Sequence, residues 1–185
     1  MRANLPLLAT VTVALLATAV NVLADEPDRL DPGADQALAM VVSARGAQLY
    51  ECRAGRDGGR PAEWAFLGPK ADLYDAQGRR IGDHGAGPYW EAADGSRVVG
   101  TVKARADAPV QGAVPWLLLS TRSAAGEGMF SAVTSIQRVR TTGGVPPVSP
   151  CSSELDGSIV SVPYTADYRL FRRLQDKPCA ACSSQ

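Results

Sequence analysis

Excess charge of either sign is missing from this chain: its 19 lysines and arginines balance its 19 aspartates and glutamates. A neutral chain has no bulk field with which to recruit nucleic acid or anionic lipid, so no nucleic-acid partner is expected. Histidine is almost missing too, since His84 stands alone. One imidazole and four dispersed cysteines do not supply a zinc ligand set, and no metal is expected. A Gly-x-Ser-x-Gly nucleophile elbow and a P-loop are both absent. Gly82, Gly85 and Gly87 follow the order G-x-x-G-x-G, and Gly126-Glu127-Gly128-Met129-Phe130-Ser131 puts serine where the third glycine belongs. Neither is a dinucleotide fingerprint between a strand and a helix, so no cofactor is expected.

The chain does carry one long uncharged run, Leu5 to Leu23, preceded only by Arg2 and the amino terminus. It ends in Val22-Leu23-Ala24 and turns acidic at Asp25 and Glu26. A positive start, an apolar centre and a small residue at the cut predict a signal peptide over residues 1–24. No basic stop-transfer cluster comes after it, which favours cleavage over a membrane anchor. The expectation is an exported chain, periplasmic or secreted, with no membrane span after cleavage. No cysteine lies just after the cut, so no lipid attachment is expected there.

Four cysteines then remain: Cys52, Cys151, Cys179 and Cys182. An even count in an exported chain points to disulfides, and four cysteines allow three pairings. Cys179-Ala-Ala-Cys182 is followed by Ser183 rather than histidine, which excludes c-type haem attachment. It also lacks the βαβ setting of a thioredoxin-like site. A local disulfide or an exposed pair is the simplest reading of that tail.

The 18 glycines and 13 prolines favour a turn-rich β protein over a helical bundle. After a polar leader, Asp31-Pro32 has the form of an N-cap with proline in the first helical position, and predicts one short helix over Gly33 to Ser43. From Ala47 the pattern becomes two-fold, with Gln48, Tyr50 and Cys52 on one face. Asp57-Gly58-Gly59 is a turn. Strands are expected next at Glu63 to Leu67 and at Ala71 to Asp75. The clearest alternation, Arg97 to Arg105, puts Val98, Gly100, Val102 and Ala104 on one face, with Arg97, Val99, Thr101, Lys103 and Arg105 on the wet one. Trp116 to Arg122 is apolar through Leu119, as in a central or fully buried strand. Val133 to Arg140 is rich in β-branched residues, and Val160 to Arg172 aligns Val162, Tyr164, Ala166, Tyr168 and Leu170. The spacing predicts an all-β fold, an antiparallel sandwich or closed barrel of about seven to ten strands with one short N-terminal helix. The organisation is a signal peptide at 1–24, a leader and helix at 25–45, a single β domain at 46–173, and a tail at 174–185.

The densest chemistry lies between Ile81 and Ser96, which holds the only histidine, two aromatic rings and three carboxylates. His84 with Glu91 or Asp94 would be a general base and its orienting partner, and Ser96 would complete a hydrolase-like set. The competing reading makes the glycines and Pro88 bends, Tyr89 and Trp90 core anchors, and Asp94-Gly95 a hairpin turn. As a binding surface, the candidates are His84, Tyr89, Trp90, Glu91 and Trp116, on a fold class that carries ligands in barrel mouths.

The run His84 to Glu91 with Asp94-Gly95-Ser96 resembles the hallmark of the domain-of-unknown-function family 3455, a family of exported bacterial and fungal proteins. Ala113 to Leu119, Val133 to Arg138 and Val162 to Tyr168 are similar to further motifs of that family, so the resemblance runs from about Gly46 to Phe171. It implies Cys52 and Cys151 as a disulfide pair, with Cys179 and Cys182 an addition. Closing a loop of about a hundred residues is worth roughly 4–5 kcal/mol in the chain-entropy account. The resemblance implies no established reaction. The malate dehydrogenase label that some fungal relatives carry finds no support in the missing nucleotide fingerprint. Three functions remain in view: a non-catalytic module for a small molecule or envelope component, a hydrolase or isomerase built on His84, and a structural or stress-related envelope protein.

Overall fold

Two-fold alternation of apolar side chains produces eight strands in the computed structural model, which describes residues 28–53 and 62–174. They are β1 (Gln36–Arg53), β2 (Glu63–Tyr74), β3 (Arg80–Gly85), β4 (Tyr89–Ala92), β5 (Arg97–Ala106), β6 (Trp116–Ala125), β7 (Ser135–Gly143) and β8 (Ile159–Arg173). Each strand pairs antiparallel with the next, and β8 returns to β1 with Val42 opposite Tyr168 and Gln48 opposite Val162. One antiparallel sheet therefore closes on itself as a ring, not as the two facing sheets of a sandwich. Closure removes the free edges that an open sheet would have to protect.

The helix expected over Gly33 to Ser43 is not formed. Those residues enter β1, and the only helical pieces among the described residues are single 3-10 turns at Asp28–Leu30 and Ser153–Leu155. The cap signal at Asp31 has a local use instead. Its Oδ1 accepts the Gly33 N–H at 2.8 Å, and Gly33 sits at φ +105°, outside any helix. The ladder that β1 gains with β8 starts at Gln36, and that pairing overrides a cap worth about 1 kcal/mol.

The strands expected at Glu63 to Leu67 and Ala71 to Asp75 are one strand, β2, which runs through Gly68 and Pro69 with a register shift against Leu49 and Tyr50. Proline fits there because β3 starts pairing only at Lys70, so no β3 bond is lost. Of the glycines and Pro88 that one reading made bends, Gly87 and Pro88 form the turn of the hairpin β3–β4, whereas Gly82 and Gly85 lie within β3. The Asp94-Gly95 turn then joins β4 to β5, with the Ala92 N–H donating to the Ser96 carbonyl at 2.9 Å. The signal peptide, the Asp57-Gly58-Gly59 turn, and Cys179 and Cys182 lie outside the described residues.

Two apolar clusters result from the ring. The inner one gathers Val42, Leu73, Trp90, Val98, Phe130, Ile136 and Leu170. Phe130, from the β6–β7 connection, closes one end of the ring. Its N–H donates to Ser96 Oγ at 3.0 Å, and Ser96 Oγ donates to Asp94 Oδ1 at 2.6 Å. The outer cluster packs Leu30 against Ala106, Trp116 and Val139. That cover explains why β6 is apolar on both faces at its start.

The Cys52–Cys151 disulfide, spanning 99 residues, ties the far end of β1 to the connection between β7 and β8. Tyr50 Oη donates to the Gly144 carbonyl at 2.7 Å, and Trp64 Nε1 donates to the Ser149 carbonyl at 2.8 Å. The same connection is thus fastened at three points along the rim.

Candidate functional site

The end of the ring opposite Phe130 is not filled. A cavity of about 500 Å³ opens there between the late residues of β1, β3, β5 and the early residues of β2 and β6. This is the usual size for a small-molecule pocket. Gln48, His84, Trp90 and Tyr168 form its buried wall, and all four are at most 3% exposed. Phe66, Leu67, Val102 and Val145 form the rim and are 36–55% exposed. The buried wall thus mixes polar-tipped groups with the apolar Val114 and Leu119, and much of the exposed rim is apolar.

The rings of His84 and Trp90 stack at 4.3 Å with planes 17° apart, and the Tyr168 ring meets both edge-on at 5.1 and 5.3 Å. Antiparallel pairing of His84 with Trp90 across β3 and β4 puts both rings on the inner face. Gly100 makes the space for the indole, since a Cβ there would stand 2.8 Å from Trp90 Cζ3. His84 Nδ1 lies 2.6 Å from the Tyr89 carbonyl, which fixes Nδ1 as the protonated nitrogen. Burial pushes the His84 pKa down to about 3, only partly offset by that backbone bond, and the Arg138 guanidinium lowers it further. His84 is thus a neutral ring in the cavity wall, with Nε2 as its remaining acceptor. Burial likewise raises the phenol pKa values of Tyr50, Tyr164 and Tyr168.

Arg138 is the charge nearest this wall. Ile136 and Arg138 share the inner face of β7, while Gln137 and Val139 point outward to the Leu30 cluster. Its Nε and Nη2 both donate to the Pro115 carbonyl, at 3.0 and 2.8 Å, and its charge partly offsets the effect of burial on the Tyr168 phenol. Among the described residues no carboxylate pairs with it and no aspartate or glutamate lines the cavity. Arg105 adds a second cation at the mouth. Simple alternation assigned Arg105 to the wet face of β5, beside Lys103. The register shift between Val102 and Ala104 instead turns Arg105 toward the cavity and sends Ala104 to the outer cluster.

Two side-chain donors among the lining residues are buried without a partner, Gln48 Nε2 and Trp90 Nε1. A second depression, about 700 Å³ on the outer face, has no orphaned buried donor among its described lining residues but one orphaned acceptor, Gln137 Oε1. Its Arg140 faces Asp167 at 3.3 Å, and Asp31 caps Gly33.

Of the residues proposed from sequence, only His84 and Trp90 meet in the cavity. Tyr89 and Glu91 lie on the other face of β4. There Glu91 accepts from Arg97 Nε at 2.6 Å, Arg97 sits 4.5 Å over the Tyr89 ring, and Tyr89 Oη donates to Asp83 at 2.9 Å. Asp94 is spent on the turn, where the Ser96 hydroxyl, ahead of the Met129 and Ser96 N–H groups, holds its carboxyl below the usual range. His84 therefore has neither carboxylate beside it. Trp116 is buried in the outer cluster, because β6 turns Leu117 and Leu119 inward and Trp116 and Leu118 outward. Gln48, Tyr50, Tyr168 and Arg138 were not proposed as site residues. Alternation groups Gln48 with Tyr50 and Cys52 on one face, and Tyr168 with Val162, Tyr164, Ala166 and Leu170 on another, and an arginine in phase with Ile136 was the available signal for Arg138.

No curated protein and no solved structure matches the chain. A family model does match, over residues 32–172, and its reach begins ahead of β1 rather than at Gly46. The chain belongs to the family described as "Protein of unknown function (DUF3455)".

Proposed function

We propose that this protein is an exported binding module whose ring of strands serves as a small closed barrel, with a small molecule taken into its open end. The observation that carries this reading is the 500 Å³ cavity with an aromatic wall and two orphaned buried donors. A buried N–H without an acceptor costs about 1–3 kcal/mol, and a ligand acceptor would recover it. The exposed apolar rim fits the same purpose, since grouped apolar side chains on a surface mark a place where something docks. The His84 environment favours binding over acid–base chemistry: a neutral ring held at Nδ1 by a carbonyl, with Glu91 on the opposite face and Asp94 in a turn. Export is supported by the apolar run ending at Ala24 and by the Cys52–Cys151 disulfide. No helix among the described residues is long and apolar enough to cross a membrane.

The test is a thermal-shift screen of small aromatic and aliphatic molecules. A ligand that favours the folded state raises Tm in a saturable way, by RT ln(1 + [L]/Kd) in free energy. A saturable rise that Gly100→Leu abolishes, by pushing the Trp90 ring into the cavity, is the expected result. A screen in which no compound raises Tm would overturn the binding reading.

A further inference from the structure

We propose that the cavity selects an apolar molecule carrying a single anionic head, such as an aromatic or aliphatic carboxylate, and takes it head first onto Arg138. This inference rests on the binding reading above and names the chemical class of the ligand. Three observations converge. Arg138 is a half-buried guanidinium with no carboxylate partner among the described residues, and both of its hydrogen bonds go to a backbone carbonyl, which does not cancel its charge. A guanidinium is the planar, permanently charged donor best matched to a carboxylate. The buried side-chain atoms of the wall without a partner, Gln48 Nε2 and Trp90 Nε1, are both N–H donors, which an anionic head satisfies as an acceptor. Finally, the polar-tipped Gln48, His84 and Tyr168 lie on the buried wall, beside the apolar Val114 and Leu119, whereas Phe66 and Val102 at the rim offer only apolar surface, which sets the orientation: head inside, apolar body against Phe66 and Val102. Arg105 at the mouth adds a positive field that draws anions toward it.

The experiment titrates the purified protein with three probes of one shape and different charge: naphthalene-2-carboxylate, naphthalene-2-carboxamide and 2-naphthylmethylammonium. Calorimetry is the readout. The carboxylate is expected to bind about tenfold tighter than the carboxamide, as charge-assisted bonds exceed neutral ones, and the ammonium more weakly than either. Arg138→Met should reduce the carboxylate's advantage to nothing while the carboxamide still binds, and Arg138→Lys should retain part of it. Equal binding of all three probes to the unmutated protein would overturn the anion preference and leave the cavity reading standing. Failure of all three to bind would overturn both. Because the charge series is read first on the unmutated protein, a variant that fails to fold does not remove the test.

Discussion

The two ends of the ring are made from the same eight strands and are filled in opposite ways. At the closed end, Val42, Leu73, Val98, Phe130, Ile136 and Leu170 meet with almost no exposure and no polar atom among their side chains. At the open end, the inward positions of the same strands carry Gln48, Tyr50, His84, Arg138 and Tyr168 around empty space. The closed end is held by close packing and by the Asp94–Ser96–Phe130 bonds. The open end is held by a disulfide and by hydrogen bonds from Tyr50 and Trp64 to the β7–β8 connection. One end thus carries stability, and the other gives up packing to present donors. Buried donors without acceptors are tolerated when function needs them, and among the described residues two of the four orphaned buried side-chain atoms belong to cavity residues.

The largest expected effect belongs to the closed end. Phe130→Ala removes a fully buried ring and should cost about 3–5 kcal/mol in a denaturant titration. An equal loss on truncating Leu67 at the rim would erase the distinction between the ends. Next comes the staple. Replacing Cys52 and Cys151 together by alanine should cost about 2–4 kcal/mol. Amide exchange should then speed up between residues 144 and 158 while the Phe130 region stays protected.

A third effect comes from the lone histidine. His84 has its folded pKa depressed to about 3 against an ordinary value of 6.5, so the unfolded chain binds the extra proton. Stability therefore falls as pH drops through 6.5 and levels off only near 3, by about 2 kcal/mol between pH 6.5 and 5. Carboxylates contribute mainly below that interval, and His84→Phe should flatten it. The smallest effect is at Gln48. Gln48→Leu removes an orphaned donor and should raise stability by up to about 1 kcal/mol while weakening ligand binding.

Much of the ring was legible because inward faces repeat every second residue. Val162 to Leu170 in β8 and Gln48 to Cys52 in β1 read correctly by that rule. It failed where local chemistry imitated something else. Asp31-Pro32 has the form of a helix start, but a short helix there would forfeit the β8 ladder, and Gly33 takes a conformation that no helix contains. Gly82, Gly85 and Gly87 suggested bends, although two of them sit in β3. The site was harder still. Alternation put Arg105 outside, because a single extra residue at Lys103 reverses the facing of Ala104 and Arg105 and leaves no mark in composition. Glu91 and His84 are close in sequence yet separated by the thickness of the sheet, since their strands place them on opposite faces. An empty interior depends on how far the ring opens, which no segment of the sequence encodes by itself.

The most direct measurement is a native mass spectrum of the protein isolated from its own host, before and after denaturation. A folded species heavier than the chain by one small acidic molecule, lost on unfolding and absent from the Arg138→Met variant, is the predicted result. A bare folded mass, together with no Tm response to any anionic aromatic compound, would contradict the account.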